Sequence, residues 1–193
     1  MRTIPGMTVL NPSDGVSARA LIKQAVAFDG PAYIRLGRAA VPTFYTEEMA
    51  AKLEIGKGVC LRTGDKKDGK LADATVIATG IMVNEAMLAA EELAADGIEV
   101  RVIDMHTIKP LDADIIYRAA RETGAIVTAE EHSVIGGLGS AVAEVTATHY
   151  PVKMAMVGQQ DTFGESGKPD ELKAKYGMTA ADIVRAVKLL IEA

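Results

Sequence analysis

The sequence predicts an α/β fold: three layers, a mostly parallel sheet with one antiparallel strand and helices on both faces, preceded by an incomplete β-α-β piece. Three observations predict it. From Asp73 onward, short apolar runs alternate with segments of helical periodicity, and repeated β-α-β units imply a parallel sheet with right-handed crossovers. A charged, Gly-containing stretch (Asp65 to Lys70) separates two apolar runs, Gly58 to Thr63 and Ala74 to Thr79, and reads as a hairpin that supplies the antiparallel strand. The first forty residues read β-α-β, too little to cover two strands on both faces and so too little to be a domain.

In chain order, Met7 to Leu10 is a short strand ended by Asn11-Pro12, because proline disfavours helix in the residue before it. Ser13 or Asp14 can cap the next helix, whose inner face carries Val16, Ala20, Leu21 and Phe28; Asp29-Gly30-Pro31 stops it. Ala32 to Leu36 is strand-like, and Gly37-Arg38 closes it. Residues 39–57 look like a connector, with one or two helical turns between Thr46 and Leu53.

Beyond Ala74 to Thr79, Ile81 to Asp96 has helical spacing at Val83, Ala86, Met87, Ala90, Leu93 and Ala94, with Gly97 as the left-handed stop. Glu99 to Asp104 is a strand. Pro110 and Asp112 introduce a helix to Thr123, with Ile115, Ile116 and Ala119 inward. Ala125 to Ala129 is a strand. It leads through Glu130-Glu131-His132 and Gly136-Gly137-Leu138-Gly139 into a helix ending at Tyr150. Val152 to Val157 is a strand and Pro169 to Tyr176 a short helix. Thr179 and Asp182 start the last helix like a capping box, and Ile183, Ala186, Val187, Leu190 and Ile191 run down one face.

Bulk composition narrows the function. The 193 residues are 49% hydrophobic and 24% charged, ordinary for a soluble globular protein. A net charge of −5, no Trp and 4% aromatics leave nucleic-acid binding unsupported. No apolar run approaches the ~20 residues that span a bilayer, so a cytoplasmic protein without membrane contact is expected. Cys60 is the only cysteine; its strand-like run predicts a buried, inert thiol.

In a parallel sheet the strand C-terminal ends share one edge, where ligands meet open α/β sheets. That edge collects Asp104, His106, Glu130, Glu131, His132 and Asp161. A metal site or an acid–base pair is one reading. Without tight ligand spacing, the stronger one is that His106 and His132 cap helix or loop backbone while the glutamates face solvent or a partner. The glycines after Ala125 to Ala129 are not a dinucleotide fingerprint, since Glu130 to Ile135 intervene; they suit close packing of helix on sheet. His149, at a helix end, is expected to serve the helix dipole. Arg35 and Arg38 end a strand, where an arginine either grips a phosphate or carboxylate or is a solvated charge. Asp161 to Gly167 is a polar loop that either carries function or packs Phe163 against the sheet.

Seven stretches together carry a resemblance: residues 2–7 (RTIPGM), 11–15 (NPSDG), 30–38 (GPAYIRLGR), 77–80 (IATG), 108–112 (IKPLD), 130–139 (EEHSVIGGLG) and 161–167 (DTFGESG). They are similar to the C-terminal part of transketolases, most of all to the C-terminal subunit of split, two-chain forms. Deoxyxylulose-phosphate synthases and the beta subunits of 2-oxoacid dehydrogenases share the architecture. The resemblance implies transfer of a two-carbon ketol unit between sugar phosphates, with thiamine diphosphate and a divalent metal (Mg) in the full assembly and none held by this chain alone. It implies a partner, either an N-terminal transketolase subunit or a missing N-terminal part, in a dimeric assembly. It makes residues 1–38 the end of a pyrimidine-binding domain, 39–55 a linker and 56–193 the C-terminal domain. The family's catalytic glutamate lies upstream of everything here, and Met1 resembles an internal position, as in a cleaved, cloned or short natural chain. Arg38 matches the arginine that contacts the substrate phosphate; Arg35 has no such match, and Asp14 receives no catalytic role. A subunit-interaction module without catalysis, or a nucleotide- or metal-dependent enzyme built on residues 130–139, are the rival readings.

Overall fold

The structure is a computed structural model, and it describes residues 1–37, 40–66, 69 and 71–192. Arg38 and three residues of the 65–70 turn lie outside the described residues. The chain begins with β1 (Thr8–Leu10), α1 (Gly15–Ala27) and β2 (Ala32–Ile34). Asp14 caps α1: its carboxylate accepts from the Val16 and Ser17 N–H groups, and the Ser17 hydroxyl accepts from the Asp14 N–H in return. α2 (Glu47–Ala50) is a single turn capped by Thr46, as the connector reading anticipates. Tyr45, Ala50 and Leu53 are nonetheless buried against Leu10 and Leu21, so the connector is part of a core.

Next come β3 (Val59–Arg62), β4 (Ala74–Ala78), α3 (Met82–Ala95), β5 (Val100–Asp104), β6 (Thr107–Lys109), α4 (Ala113–Thr123), β7 (Ala125–Ser133), α5 (Leu138–His149), β8 (Lys153–Gln159), α6 (Pro169–Lys175) and α7 (Ala180–Glu192). The stop and start signals act where expected. Gly97 and Gly124 have φ of +80° and +68°, and Asp112 accepts from the Ile115 N–H. At α7 the box is half formed: Asp182 accepts from the Thr179 N–H, but the Thr179 hydroxyl donates to that same carboxylate.

A five-stranded sheet runs β3-β5-β4-β7-β8, parallel except for β3. Side chains alternate across it. Ala74, Val76 and Ala78 of β4 pack with α3 and α7, while Ile77 joins Ile103 and Ile126 under α4 and α5. The three-layer fold is therefore as predicted.

The hairpin is not. β3 pairs with β5 rather than with β4. β4 is fully buried and already flanked by β5 and β7, which leaves it no free edge. The partly exposed β3 suits an outer position. Cys60 is also corrected: on this edge strand it is exposed.

The incomplete β-α-β piece finds its third strand at a distance. β6 pairs antiparallel with β1, giving the order β2-β1-β6. β1 then serves two cores, Val9 facing the C-terminal core and Leu10 facing α1 and the connector. Among the described residues no helix is long and apolar enough to cross a membrane.

Candidate functional site

The sheet edge gathers the predicted polar residues but divides them. Asp104 ends β5 wholly buried, and its Oδ2 accepts from Ser13 Oγ at 2.6 Å and Tyr45 Oη at 2.8 Å. Its Oδ1 has no partner among the described residues. Burial, with nearby Asp14 adding to it, pushes the Asp104 carboxyl up to about 7, although the two hydroxyls favour the charged form. Asp14 beside it also accepts from the Phe44 and Tyr45 N–H groups, at 3.0 and 2.9 Å. Burial works to raise its pKa, but these bonds and those from Ser17 outweigh it and hold the carboxyl below its usual range.

His106 is fully buried. Nδ1 lies 2.9 Å from Thr107 Oγ1, and Nε2 has no partner among the described residues. Burial alone lowers its pKa to about 4, so it is a neutral ring. Its backbone carbonyl, not its ring, receives the Asn11 N–H.

Glu130 and His132 form the other cluster. Glu130 is 2% exposed and spends its two oxygens on the start of α5, accepting from Leu138 N–H at 2.7 Å and Gly139 N–H at 2.8 Å. A carboxylate at a helix N-terminus is doubly favoured, by the bonds and by the dipole. Burial still raises its pKa. The glycines make room: a Cβ on Gly137 would stand 2.0 Å from Glu130 Oε2, and one on Gly139 2.7 Å from Met156 Sδ. Close packing is thus what this turn is built for. His132 lies 3.8 Å from Glu130 and bonds the Ser133 carbonyl through Nδ1.

His132 thus bonds backbone, as its capping reading has it, but at the carbonyl that ends β7, while Glu130 is buried rather than solvated or turned outward. Glu131 is half-buried, and its carbonyl accepts from Arg35 Nη2 at 2.8 Å. His149 Nδ1 meets the Val145 carbonyl at 3.1 Å at the end of α5. Asp161 is exposed. Phe163 is 98% exposed, so the loop does not pack it against the sheet. Its carbonyl is held by Tyr176 Oη instead. Arg38 lies outside the described residues. Sequence reasoning missed Ser13 and Tyr45 as the partners of Asp104; the polar run Asn11-Pro12-Ser13-Asp14 after a strand is the signal that pointed there.

Among the described residues no three His, Cys, Asp or Glu side chains gather to hold a metal ion, and the Glu130 oxygens are already taken. These residues do not fit a metal-bound diphosphate.

Fold and site together define a three-layered α/β domain preceded by a β-α-β piece that shares β1 with a small three-stranded sheet. Residues 66–183 match the family "Transketolase, C-terminal domain", and residues 1–43 match "Transketolase, pyrimidine binding domain". The chain belongs to the transketolase C-terminal domain family. It is 49% identical over 192 residues to the 6-deoxy-6-sulfo-D-fructose transketolase subunit of Clostridium sp. (strain MSTE9), covering 100% of this chain and 57% of that one. It is 40% identical over 188 residues to a putative transketolase C-terminal section of Methanocaldococcus jannaschii, covering 97% and 56%. A solved structure described as a split gene transketolase, inactive beta4 tetramer, superposes with a TM-score of 0.92 at 47% identity, over 100% of this chain and 60% of that one. The chain thus spans a little over half the length of these relatives.

Proposed function

We propose that this chain supplies the C-terminal portion of a thiamine-diphosphate-dependent transketolase that moves a two-carbon ketol unit between sugar phosphates. The observation that carries the reading is the pair of transketolase matches in one order, 1–43 then 66–183, together with 49% identity along the whole chain to a transketolase subunit. Residues 1–38 are then the end of the pyrimidine-binding domain, 39–55 the linker and 56–193 the C-terminal domain. Thiamine diphosphate and its divalent metal belong to the rest of the assembly, and supply the carbanion chemistry there. This chain contributes shape, subunit contacts and Arg38 for the substrate phosphate, where a guanidinium fork matches the anion. It is inactive alone, and its partner is an N-terminal transketolase subunit or the N-terminal remainder of the same protein, in a dimeric or larger assembly.

Reconstitution tests this. The chain alone transfers no ketol unit, and activity appears on adding the N-terminal half. Arg38→Ala in that assembly raises KM for phosphorylated sugars more than it lowers kcat. Stoichiometric thiamine diphosphate binding by the chain alone overturns the division of labour, and unchanged kinetics overturn the role of Arg38. A second reading, assembly without catalysis, is favoured by the inactive tetramer to which this fold is similar. Light scattering before and after adding the N-terminal half separates the two: a self-assembly that persists and never gains activity supports the second.

A further inference from the structure

Between β1, β2 and the Gly-rich turn lies a cavity of about 100 Å³, bordered by Glu130 and Leu138 of the α5 cap, that the transketolase reading does not use. Val9 and Leu138 give it an apolar floor, and Asn11, Tyr33, Arg35 and His132 supply its polar wall. Few precisely placed polar groups over an apolar surface are what small-molecule sites have. The volume takes a few waters or a small oxyanion.

The electrostatics of the wall are unequal. Arg2, on one side, is satisfied: its guanidinium forks onto Glu144 at 2.7 and 2.8 Å and bonds the Gly136 carbonyl. Glu130 is compensated by two N–H groups at the positive end of α5. Arg35 is different. It is half-buried, one N–H donates to the neutral Glu131 carbonyl, and no carboxylate among the described residues pairs with it. A partly desolvated guanidinium without a counter-ion, facing a cavity, favours an anion that accepts two parallel N–H bonds. The Asn11 side chain makes no hydrogen bond within the described residues, though it sits tight against Gly80, and can add a donor.

We propose that this cavity binds a small oxyanion, the carboxylate or phosphate group of a small molecule, with Arg35 as its principal ligand. The proposal does not depend on the assignment of Arg38.

The test is an NMR titration of the ¹⁵N-labelled full chain with pyruvate, with inorganic phosphate and, as an ionic-strength control, with chloride. Saturable shifts of the Gly136, Gly137 and Leu138 amides are expected with pyruvate or phosphate; which of the two binds tighter identifies the anion. Arg35→Gln weakens that binding about tenfold or more, the worth of a hydrogen bond to a charged group. Arg35→Lys, which keeps the charge and loses the fork, weakens it less, and serves as the folded control if Arg35→Gln is unstable. Shifts that do not saturate, shifts reproduced by chloride, or wild-type binding in both Arg35 variants overturn the site.

Discussion

Tyr45 Oη donates to Asp104 Oδ2 across 2.8 Å, joining the connector to the end of a central strand inside a fully buried pocket. Ser13 completes the clasp from the loop before α1. Tyr45→Phe removes one donor and leaves the acid buried; a loss of about 1–2 kcal/mol is expected in urea unfolding. The acid itself gives the sign of a pH effect. Its folded pKa, about 7, lies above that of an unfolded aspartate. The folded state holds the extra proton, so this residue's contribution weakens as pH rises from about 4 through 7. Asp104→Asn is expected to remove that slope. Wild type minus variant, measured by denaturation at several pH values, isolates it from carboxylates such as Asp14, whose depressed pKa acts oppositely.

His106 works against Asp104 over part of the same range. Burial holds its pKa near 4, below the unfolded value. Here the unfolded chain binds the proton more readily, so the stability it contributes is complete above about 6.5 and is lost as pH falls through 4. Its ring resonances in NMR should stay those of a neutral imidazole down to about pH 4. A midpoint near 6.5 for His106 would show that the ring is hydrated and that the buried placement is wrong.

Most of the C-terminal domain was legible because its strands and helices are local events. Gly97, Gly124 and Asp112 each end or start an element by their own backbone chemistry, and α3 and α4 bury the residues their spacing picks out. Pairing between distant segments was not legible. β6 is three residues long and exists because β1, at the other end of the chain, lies beside it. The placement of β3 failed likewise: two apolar runs around a charged turn look the same whether they pair with each other or skip a strand. At the site, the sequence showed which acids and histidines share the edge. It did not show that Asp104 and Glu130 would be spent on different partners, since those are hydroxyls and N–H groups that every segment possesses. Phe163 shows the converse limit: the sequence left open whether its loop packs it against the sheet, and it is exposed.

The contact between Gly137 and Glu130 gives a prediction with an internal control. An alanine at 137 places its Cβ 2.0 Å from Glu130 Oε2 and 2.5 Å from the Ser133 carbonyl. Glu130 must leave the Leu138 and Gly139 N–H groups, uncapping α5. Gly137→Ala should cost about 2–3 kcal/mol in chemical denaturation. Glu130→Ala should cost about 2 kcal/mol for the two lost bonds. Because both changes break the same cap, the double variant should fall well short of the sum. Strict additivity would mean that the two residues act on separate parts of the turn.

Cys60 supplies the last prediction, since its placement departs from what its apolar neighbours suggest. It lies on the outer strand β3, exposed, with its thiol donating to the Arg62 carbonyl at 3.3 Å. Partial desolvation raises the thiol pKa, against the opposing pull of Arg101, so less thiolate is present at neutral pH. A maleimide reagent should therefore modify the folded chain completely without denaturant, but more slowly than it modifies a free cysteine, as read by intact mass over time. Cys60→Ser, at an exposed edge position, should change unfolding stability by no more than about 0.5 kcal/mol. If the thiol reacts only after denaturant is added, β3 is covered along its outer edge, and the partner that covers it becomes the next object to find.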